Sequence, residues 1–304
     1  MKIVDTICLL GLAAIWGASF LFMRIIAPVL GALPTAFFRV LLGAIGLLVI
    51  LALLKVRLHF KGKLGRTMLL GMINSGIPFV MYSLAARVLP AGYSAIFNAT
   101  TPLMGIVIGA LFFADRPTLP KLAGVVLGIA GVAVLTGAGP VQLSMQVVLG
   151  AGACLVATAC YGLASFLTKR WITDQGGLDS KLLAFGSQVG ATLVLLPVFA
   201  GSVLTAAPAS WGGGGVWTAL ACLGLVCTAL AYILYFHLIA SIGPVKSLTV
   251  TFLIPPFGIL WGALFLGEQI SWAHAAGGAL IGLAVWMVLK PAPAVPTGKA
   301  QLEG

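Results

Sequence analysis

The sequence predicts an all-α membrane protein with ten transmembrane helices arranged as two inverted five-helix repeats. The first observation is composition: of 304 residues, 61% are hydrophobic and only 8% are charged, whereas a soluble domain carries about 25% charged residues. The second is that nearly all apolar residues lie in runs of roughly 20, the length that spans a bilayer. The third is a long motif of the first half that returns in the second half.

The hydrophobic runs predict ten spans with short loops between them. Their approximate bounds are 3–23, 32–54, 67–88, 91–113, 118–137, 145–169, 181–203, 215–238, 244–266 and 272–289. The first run superficially resembles a signal peptide, but it continues to Met23 and further spans follow it. We therefore interpret it as the first transmembrane helix. The proline-rich residues 291–304 are predicted to form a disordered tail.

The distribution of basic residues predicts that both termini are cytoplasmic. With the N-terminus inside, fourteen Lys and Arg residues fall on the inner side, against Arg24 and Arg87 at outer span ends and Arg39 within a span. An excess of basic residues in inner loops sets the orientation of membrane proteins. The same rule explains the net charge of +11. The sequence therefore predicts contact with a lipid bilayer and no nucleic-acid partner.

An eleven-residue motif connects the two halves. Seven of its residues are identical between 102–112 and 255–265, and an acidic residue follows at the same distance, Asp115 and Glu268. Because each half holds five spans, an odd number, the second half enters the membrane in the opposite direction. Inverted repeats of this kind are typical of transporters, whose substrate sites lie near the bilayer midplane. The predicted repeats cover residues 1–140 and 145–290, followed by the cytoplasmic tail 291–304.

Further segments resemble those of a known family. They are Trp16-Gly17-Ala18-Ser19-Phe20, Phe38-Arg39-Val40-Leu41-Leu42, and in both halves a mid-span proline followed by Gly-Ala-Leu-Phe and an acidic residue. Together with the duplication, the pattern resembles the drug/metabolite transporter superfamily, specifically its ten-helix EamA-type branch, up to about Leu289. The resemblance implies export of amino acids or similar small metabolites from the inner membrane, by alternating access, through a cavity between the halves. A drug or a sugar-related metabolite is the alternative substrate.

Prolines inside the spans predict kinked helices beside polar side chains. These prolines are Pro78, Pro102, Pro255 and Pro256. A proline cannot donate its backbone hydrogen bond, so it frees the carbonyl four residues earlier. The freed carbonyls include those of Asn74, Asn98 and Thr251. Because such groups must be satisfied inside a membrane, these polar residues either line a substrate cavity or repair the local backbone. We expect the helices of Pro102 and Pro255 to gate the pathway.

Arg39 is the strongly basic residue that falls well inside a predicted span. A buried charge in a membrane indicates a functional site by default. Two interpretations stay open. Arg39 either holds the carboxylate of an amino acid or organic acid, or it pairs with a carbonyl and braces the second span.

All acidic residues fall at span ends, in loops or in the tail. The small multidrug exporters of the superfamily that this sequence resembles use a membrane-embedded glutamate, and the first span here has none. Antiport of lipophilic cations is therefore disfavoured. Coupling to protons would need Glu268, Asp115 or a histidine such as His237. Facilitated diffusion is the alternative.

Aromatic residues near mid-span predict apolar cavity walls with hydroxyl groups that orient a substrate. They are Trp16, Tyr82, Tyr161, Tyr232, Tyr235 and Trp261; packing between helices is the other interpretation. The sequence carries no paired Asp, Ser/Lys or HExxH pattern at membrane depth and no cysteine spacing of the metal-binding kind. We therefore predict a non-enzymatic protein without cofactor or metal, acting as a monomer or homodimer on a small-molecule substrate.

Overall fold

The computed structural model describes residues 2–115, 117–206, 208, 210–243, 247 and 249–289. Within these ranges the chain is helical and contains no β-strand. We number the helices α1 (Ile3–Leu30), α2 (Ala32–Leu53), α3 (Leu64–Ala85), α4a (Ala91–Asn98), α4b (Thr101–Phe112), α5 (Leu119–Ala138), α6 (Met145–Trp171), α7 (Ser180–Ala206), α8 (Gly214–Ile242), α9 (Val250–Leu266) and α10 (Trp272–Leu289). The predicted disordered tail, 291–304, lies outside the described residues.

Among the described residues, eight helices are long and apolar enough to cross a membrane. The pair α4a and α4b, bent by 45°, makes a ninth if it is one span. Helix α9 is apolar but only 17 residues long. The predicted ninth span covers residues 244–266. Of these, residues 244–246 and 248 lie outside the described part of the chain. The structure thus supports a polytopic helical membrane protein, and the count of ten spans stays a prediction.

The first helix is longer than the sequence predicts. It continues for seven residues beyond Met23 and ends at Leu30. Arg24 does not mark the end of the span. Its Nη1 donates a hydrogen bond of 2.9 Å to the carbonyl of Ala86, at the end of α3. With that polar contact made, the apolar residues after Arg24 continue the helix, and Ile26 is fully buried. The helix ends at Gly31, whose φ of 89° reverses the chain into α2, a conformation that favours glycine.

Two helices contain a π-helical stretch, Met72–Gly76 in α3 and Cys222–Leu230 in α8. A π-turn widens the helix and interrupts its regular hydrogen bonds, often at functional sites. Both stretches lie at matching places of the two halves, since Ser75 and Thr228 are separated by the motif's offset of 153 residues.

The helix contacts of the first half recur in the second half. Helix α1 packs on α9 as α6 packs on α4b, and α2 packs on α8 as α7 packs on α3. Three pairs join equivalent helices, namely α2 with α7, α4a with α9, and α5 with α10. Exchanging the first five helices with the last five therefore leaves the set of main contacts unchanged.

Glycines set the closest of these contacts. A Cβ atom at Gly17 of α1 would lie 2.7 Å from Cβ of Phe257, and one at Gly162 of α6 would lie 3.0 Å from Cα of Gly105. Contacts this short exclude any side chain, so small residues allow the backbones to approach. Gly105 and Gly258 occupy the same position of the repeated motif, which packs on its partner helix in the same way in each half.

Candidate functional site

A central cavity of about 250 Å³ lies between the two halves. Side chains from α1, α2, α3, α4a, α4b, α6, α8 and α9 line it. Its volume is near the lower end of about 300–1,000 Å³ for small-molecule pockets. A cavity of this size fits a small metabolite.

The structure brings together all but one of the predicted substrate-contacting residues. Those on the cavity wall are Trp16, Arg39, Asn74, Tyr82, Asn98, Tyr161, Tyr232, Tyr235 and Thr251. Residues that sequence reasoning missed also line it, namely Ser19, Phe20, Met23, Phe79, Thr101, Cys227, Thr228, Val250 and Ile254. Most of these look like ordinary helix-packing residues in the sequence, and only the three-dimensional arrangement turns them toward one space.

Trp261 lies elsewhere, and its placement corrects the sequence-based expectation. Its Nε1 donates a hydrogen bond of 2.9 Å to the carbonyl of Ala14 in α1. Its ring packs against Phe257 and Phe265 on its own helix, with centroid distances of 6.1 and 5.9 Å. Trp261 therefore fastens α9 to α1 and does not line the cavity.

A polar contact between α3 and α4a lies on the cavity wall. The hydroxyl of Tyr82 donates to Oδ1 of Asn98 at 3.1 Å. The carbonyl of Asn98, which the sequence predicts to be freed by Pro102, accepts the hydroxyl of Thr101 at 2.8 Å. The chain's own threonine thus satisfies this carbonyl, and the side chain of Asn98 is the group that faces the cavity.

The prolines act differently in the two halves. The bend of 45° between α4a and α4b comes immediately before Pro102, whereas α9 continues as one helix through Pro255 and Pro256. Pro78 is the second residue of the α-helical part of α3 that follows its π-helical stretch. The helix is continuous there, since the N–H of Ile77 donates to the carbonyl of Met72 across the π-helical stretch, and Pro78 has no N–H with which to continue the series.

Arg39 is buried, with 6% of its surface exposed, and its guanidinium lies on the cavity wall. Nε donates to Oγ1 of Thr228 at 3.3 Å, and Nη1 lies 3.4 Å from the sulfur of Met23. The carbon Cζ is 3.6 Å from the centroid of the Phe79 ring, a cation–π contact. No carboxylate of the described residues lies within 4.0 Å of it.

A matching polar contact joins the opposite pair of helices. Gln188 of α7 donates through Nε2 to Oγ of Ser75 at 2.9 Å, as Arg39 of α2 donates to Thr228. Both acceptors lie in the π-helical stretches of the other half. Two features of the sequence could have predicted this pair of contacts. Ser75 aligns with Thr228 between the two halves, and Gln188 is an isolated polar residue in the predicted seventh span.

Glu268 joins three helices at one end of the helix bundle. The backbone N–H of Ala91, at the start of α4a, donates to both carboxylate oxygens at 3.0 and 2.9 Å. Arg24 Nε lies 3.7 Å from Oε1, so Glu268 connects the end of α9 to α4a and α1. Burial raises the pKa of Glu268, although the Ala91 N–H and the Arg24 charge act to lower it.

Asp115, the repeat equivalent of Glu268, is exposed. Both residues donate their backbone N–H at 3.1 Å to a glycine carbonyl six residues earlier, Gly109 or Gly262. The preceding residue has a left-handed conformation in each case, with φ of 55° at Ala114 and 64° at Gly267. The two ends share their backbone geometry and differ in what the carboxylate contacts.

His237 is exposed on α8 and does not line the cavity. Near it, the hydroxyl of Ser241 donates to the carboxylate of Asp5, which connects α8 to the start of α1. Among the residues that the structure describes, no three His, Cys, Asp or Glu side chains lie close enough to hold a metal ion.

A bundle of apolar helices around a partly polar central cavity is typical of membrane transporters. The sequence pattern of the EamA-like transporter family matches the chain twice, at residues 6–137 and 148–290. The chain therefore belongs to the EamA-like transporter family, within the drug/metabolite transporter superfamily. This confirms the family that the motifs indicated.

Relatives cover almost the whole chain at modest identity. A probable terminal-alkyne amino-acid exporter of Streptantibioticus cattleyicolor is 24% identical over 92% of this chain and 92% of its own length. The uncharacterized transporter YoaV of Bacillus subtilis is 23% identical over 92% and 94%. The uncharacterized inner membrane transporter YedA of Escherichia coli is 25% identical over 86% and 83%. A crystal structure with 18% identity superposes with a TM-score of 0.65, covering 95% of this chain and 97% of that one, which supports the fold.

Proposed function

We propose that the protein exports amino acids or similar small metabolites across the inner membrane by alternating access. The observation that carries the proposal is the cavity between the halves, where Arg39, Asn98 and the tyrosine hydroxyls meet aromatic walls. Small-molecule sites are typically apolar pockets with a few polar groups that fix the orientation of the ligand. One relative is named a probable amino-acid exporter, which agrees with this substrate class.

The proposal includes two inverted five-helix repeats, 1–140 and 145–290, with both termini cytoplasmic. The recurrence of helix contacts between the halves supports the repeats, as does the double match of the family pattern. Because a pseudo-two-fold axis in the membrane plane relates the repeats, exchanging their two conformations converts a form open to one side into a form open to the other.

Within that mechanism, the Glu268 contacts hold one face closed. Glu268, Ala91 and Arg24 join three helices there, while Asp115 at the equivalent place is exposed. In the alternate state the contacts of Glu268 with Ala91 and Arg24 would break, and water would hydrate the Glu268 carboxylate. Because burial raises the pKa of Glu268, the closed face binds a proton more readily than the open face, which offers a route for coupling to protons.

The test is flux of radiolabelled amino acids into proteoliposomes that contain the purified protein. Wild-type protein is expected to transport at least one amino acid above protein-free vesicles. Asn98→Leu and Thr251→Val remove polar groups from the cavity wall and are expected to reduce the rate by about two- to tenfold, the equivalent of one lost hydrogen bond. Both must keep the elution profile of the wild type.

Thr136→Val is the matched control. Its hydroxyl donates to the carbonyl of Val132 on its own helix, α5, away from the cavity, so its transport rate should equal that of the wild type. Absence of amino-acid flux in wild-type vesicles, with transport of a drug or sugar-related compound instead, would replace the substrate class. Wild-type rates for both cavity variants would remove these side chains from the site.

A further inference from the structure

The cavity carries a buried positive charge that the described protein residues do not neutralise. Among the described residues that line the cavity, Arg39 is the only one with a charged side chain. An arginine stays protonated in proteins, and moving an unpaired charge away from water is costly. An anion in the cavity would therefore gain both a charge partner and a hydrogen-bond donor.

The contacts that Arg39 makes are too weak to satisfy it. A guanidinium has five N–H donors. Those described reach Thr228 at 3.3 Å and the thioether of Met23 at 3.4 Å. The distance to Thr228 is longer than the usual range of an N–H···O hydrogen bond, and sulfur is a weak acceptor. A structural brace would instead direct the fork to carbonyls or a carboxylate.

The contact with Phe79 fixes the position of the guanidinium. The ring lies 3.6 Å below Cζ and is itself buried. A guanidinium that stacks on an aromatic face keeps the N–H groups at its edge available for a planar anion. Carboxylates match this edge through two parallel hydrogen bonds.

The other described residues of the cavity wall are neutral, and seven of them are aromatic. The ring centroids of Tyr82 and Tyr161 are 6.3 Å apart, those of Phe20 and Tyr82 are 5.3 Å apart, and those of Trp16 and Tyr235 are 5.4 Å apart. These rings suit an apolar or aromatic body. The described residues that line the cavity include no Asp or Glu. They therefore offer no carboxylate to bind an ammonium group.

We propose that the transported substrate is an organic carboxylate with an apolar or aromatic body, held through its carboxylate by Arg39, and that an ammonium group is not required. This inference rests on the proposed transport function and specifies its substrate class. Amino acids are then bound as carboxylates, and cations that lack a carboxylate are excluded because Arg39 repels them.

Four related compounds test the proposal: 3-phenylpropionate, L-phenylalanine, L-phenylalaninamide and phenethylamine. Binding is measured with purified wild-type protein in detergent, by isothermal titration calorimetry. The two carboxylates are expected to bind at least about tenfold more tightly than the two compounds without one, as for a charged hydrogen bond. Equal or tighter binding of phenethylamine, or no binding of either carboxylate, would overturn the proposal.

Arg39→Gln is expected to weaken 3-phenylpropionate binding by roughly 10- to 100-fold and to abolish the preference for carboxylates. Arg39→Lys keeps the positive charge and should retain part of the preference for carboxylates. This variant provides the test if Arg39→Gln fails to fold. Arg87→Gln is the control, because Arg87 is exposed and does not line the cavity. A carboxylate preference that survives in both folded Arg39 variants contradicts the role of this side chain.

Flux in proteoliposomes separates this inference from the proposed function. Carboxylate-selective binding without flux of either carboxylate would refute transport of these compounds and leave the binding specificity in place. Flux of phenethylamine at the rate of L-phenylalanine would support a transporter and refute carboxylate selection.

Discussion

Tyr82 and Asn98 form a polar contact on the cavity wall, and their environment explains why both side chains matter. Tyr82 is 2% exposed, so its hydroxyl needs a protein partner, which Asn98 supplies at 3.1 Å. The contact joins α3 to α4a beside the bend that precedes Pro102. A side-chain hydrogen bond at this place holds two helices of the pathway in one relative position.

Tyr82→Phe is expected to destabilise the protein by about 0.5–1.5 kcal/mol, the net contribution of one hydrogen bond. A double-mutant cycle with Asn98→Ala isolates the contact, since both single variants lose the same interaction. Apparent unfolding temperatures of the four purified proteins measure it. Additive effects of the two substitutions would show that Tyr82 and Asn98 act independently.

At the scale of helices, the repeated motif is a packing surface in each half. Gly17 lies against Phe257 in α9, and Gly162 lies against Gly105 in α4b. In α9 the motif requires a small residue at Gly258, because an added Cβ would collide with Cβ of Ala95. In α4b the close contact requires the glycine of the partner helix, Gly162, since a Cβ at Gly105 would meet nothing within 4 Å. Bending is less regular, since α4 is broken before Pro102 and α9 is continuous through its two prolines.

Gly17→Ala is expected to destabilise the protein by about 1–3 kcal/mol, the usual range for overpacking a core. The added methyl group would lie 2.7 Å from Cβ of Phe257, so α1 and α9 must separate. Gly11→Ala on the same helix meets nothing within 4 Å and should be neutral or stabilising, because alanine favours helix. Thermal unfolding of both variants in one detergent compares them, and equal unfolding temperatures would refute the close contact.

At the scale of the whole molecule, two equivalent helix ends differ in what they contact. Both carboxylates end the same motif, but Glu268 is partly buried against α4a and α1 while Asp115 is exposed. The backbone geometry at Gly109 and Gly262 is therefore the same, whereas Glu268 contacts two other helices and Asp115 is exposed. The proposed alternating access would account for this asymmetry.

Stability should depend on pH through Glu268. Burial raises its folded-state pKa above the ordinary carboxyl value, so its stabilising contribution is fully present below the unfolded pKa of about 4.3. That contribution is lost as the pH rises through the folded pKa. Wild-type protein should therefore lose stability relative to Glu268→Gln as the pH rises from about 4.3 through the raised folded-state pKa of Glu268.

The measurement is the difference in apparent unfolding temperature between wild type and Glu268→Gln across this pH range. Asp115→Asn is the matched comparison, since Asp115 is exposed at the equivalent place. A constant difference for Glu268→Gln would mean that burial of this carboxylate does not control stability.

The sequence by itself determined the membrane class, most helix bounds, the duplication and the family. These follow from composition, from apolar runs of bilayer length and from a motif repeated at a fixed offset, all of which are local properties of the chain. It also named half of the described residues that line the cavity, because polar and aromatic residues are conspicuous in apolar spans.

The tertiary structure decided which of these residues share one space. Trp261 and Tyr235 look alike in the sequence, yet one fastens α9 to α1 and the other faces the cavity. The partners of Arg39 on three other helices, Met23, Phe79 and Thr228, are ordinary helix residues in the sequence. Whether a side chain faces a neighbouring helix or a cavity depends on how helices distant in sequence pack, and that information lies in no single segment.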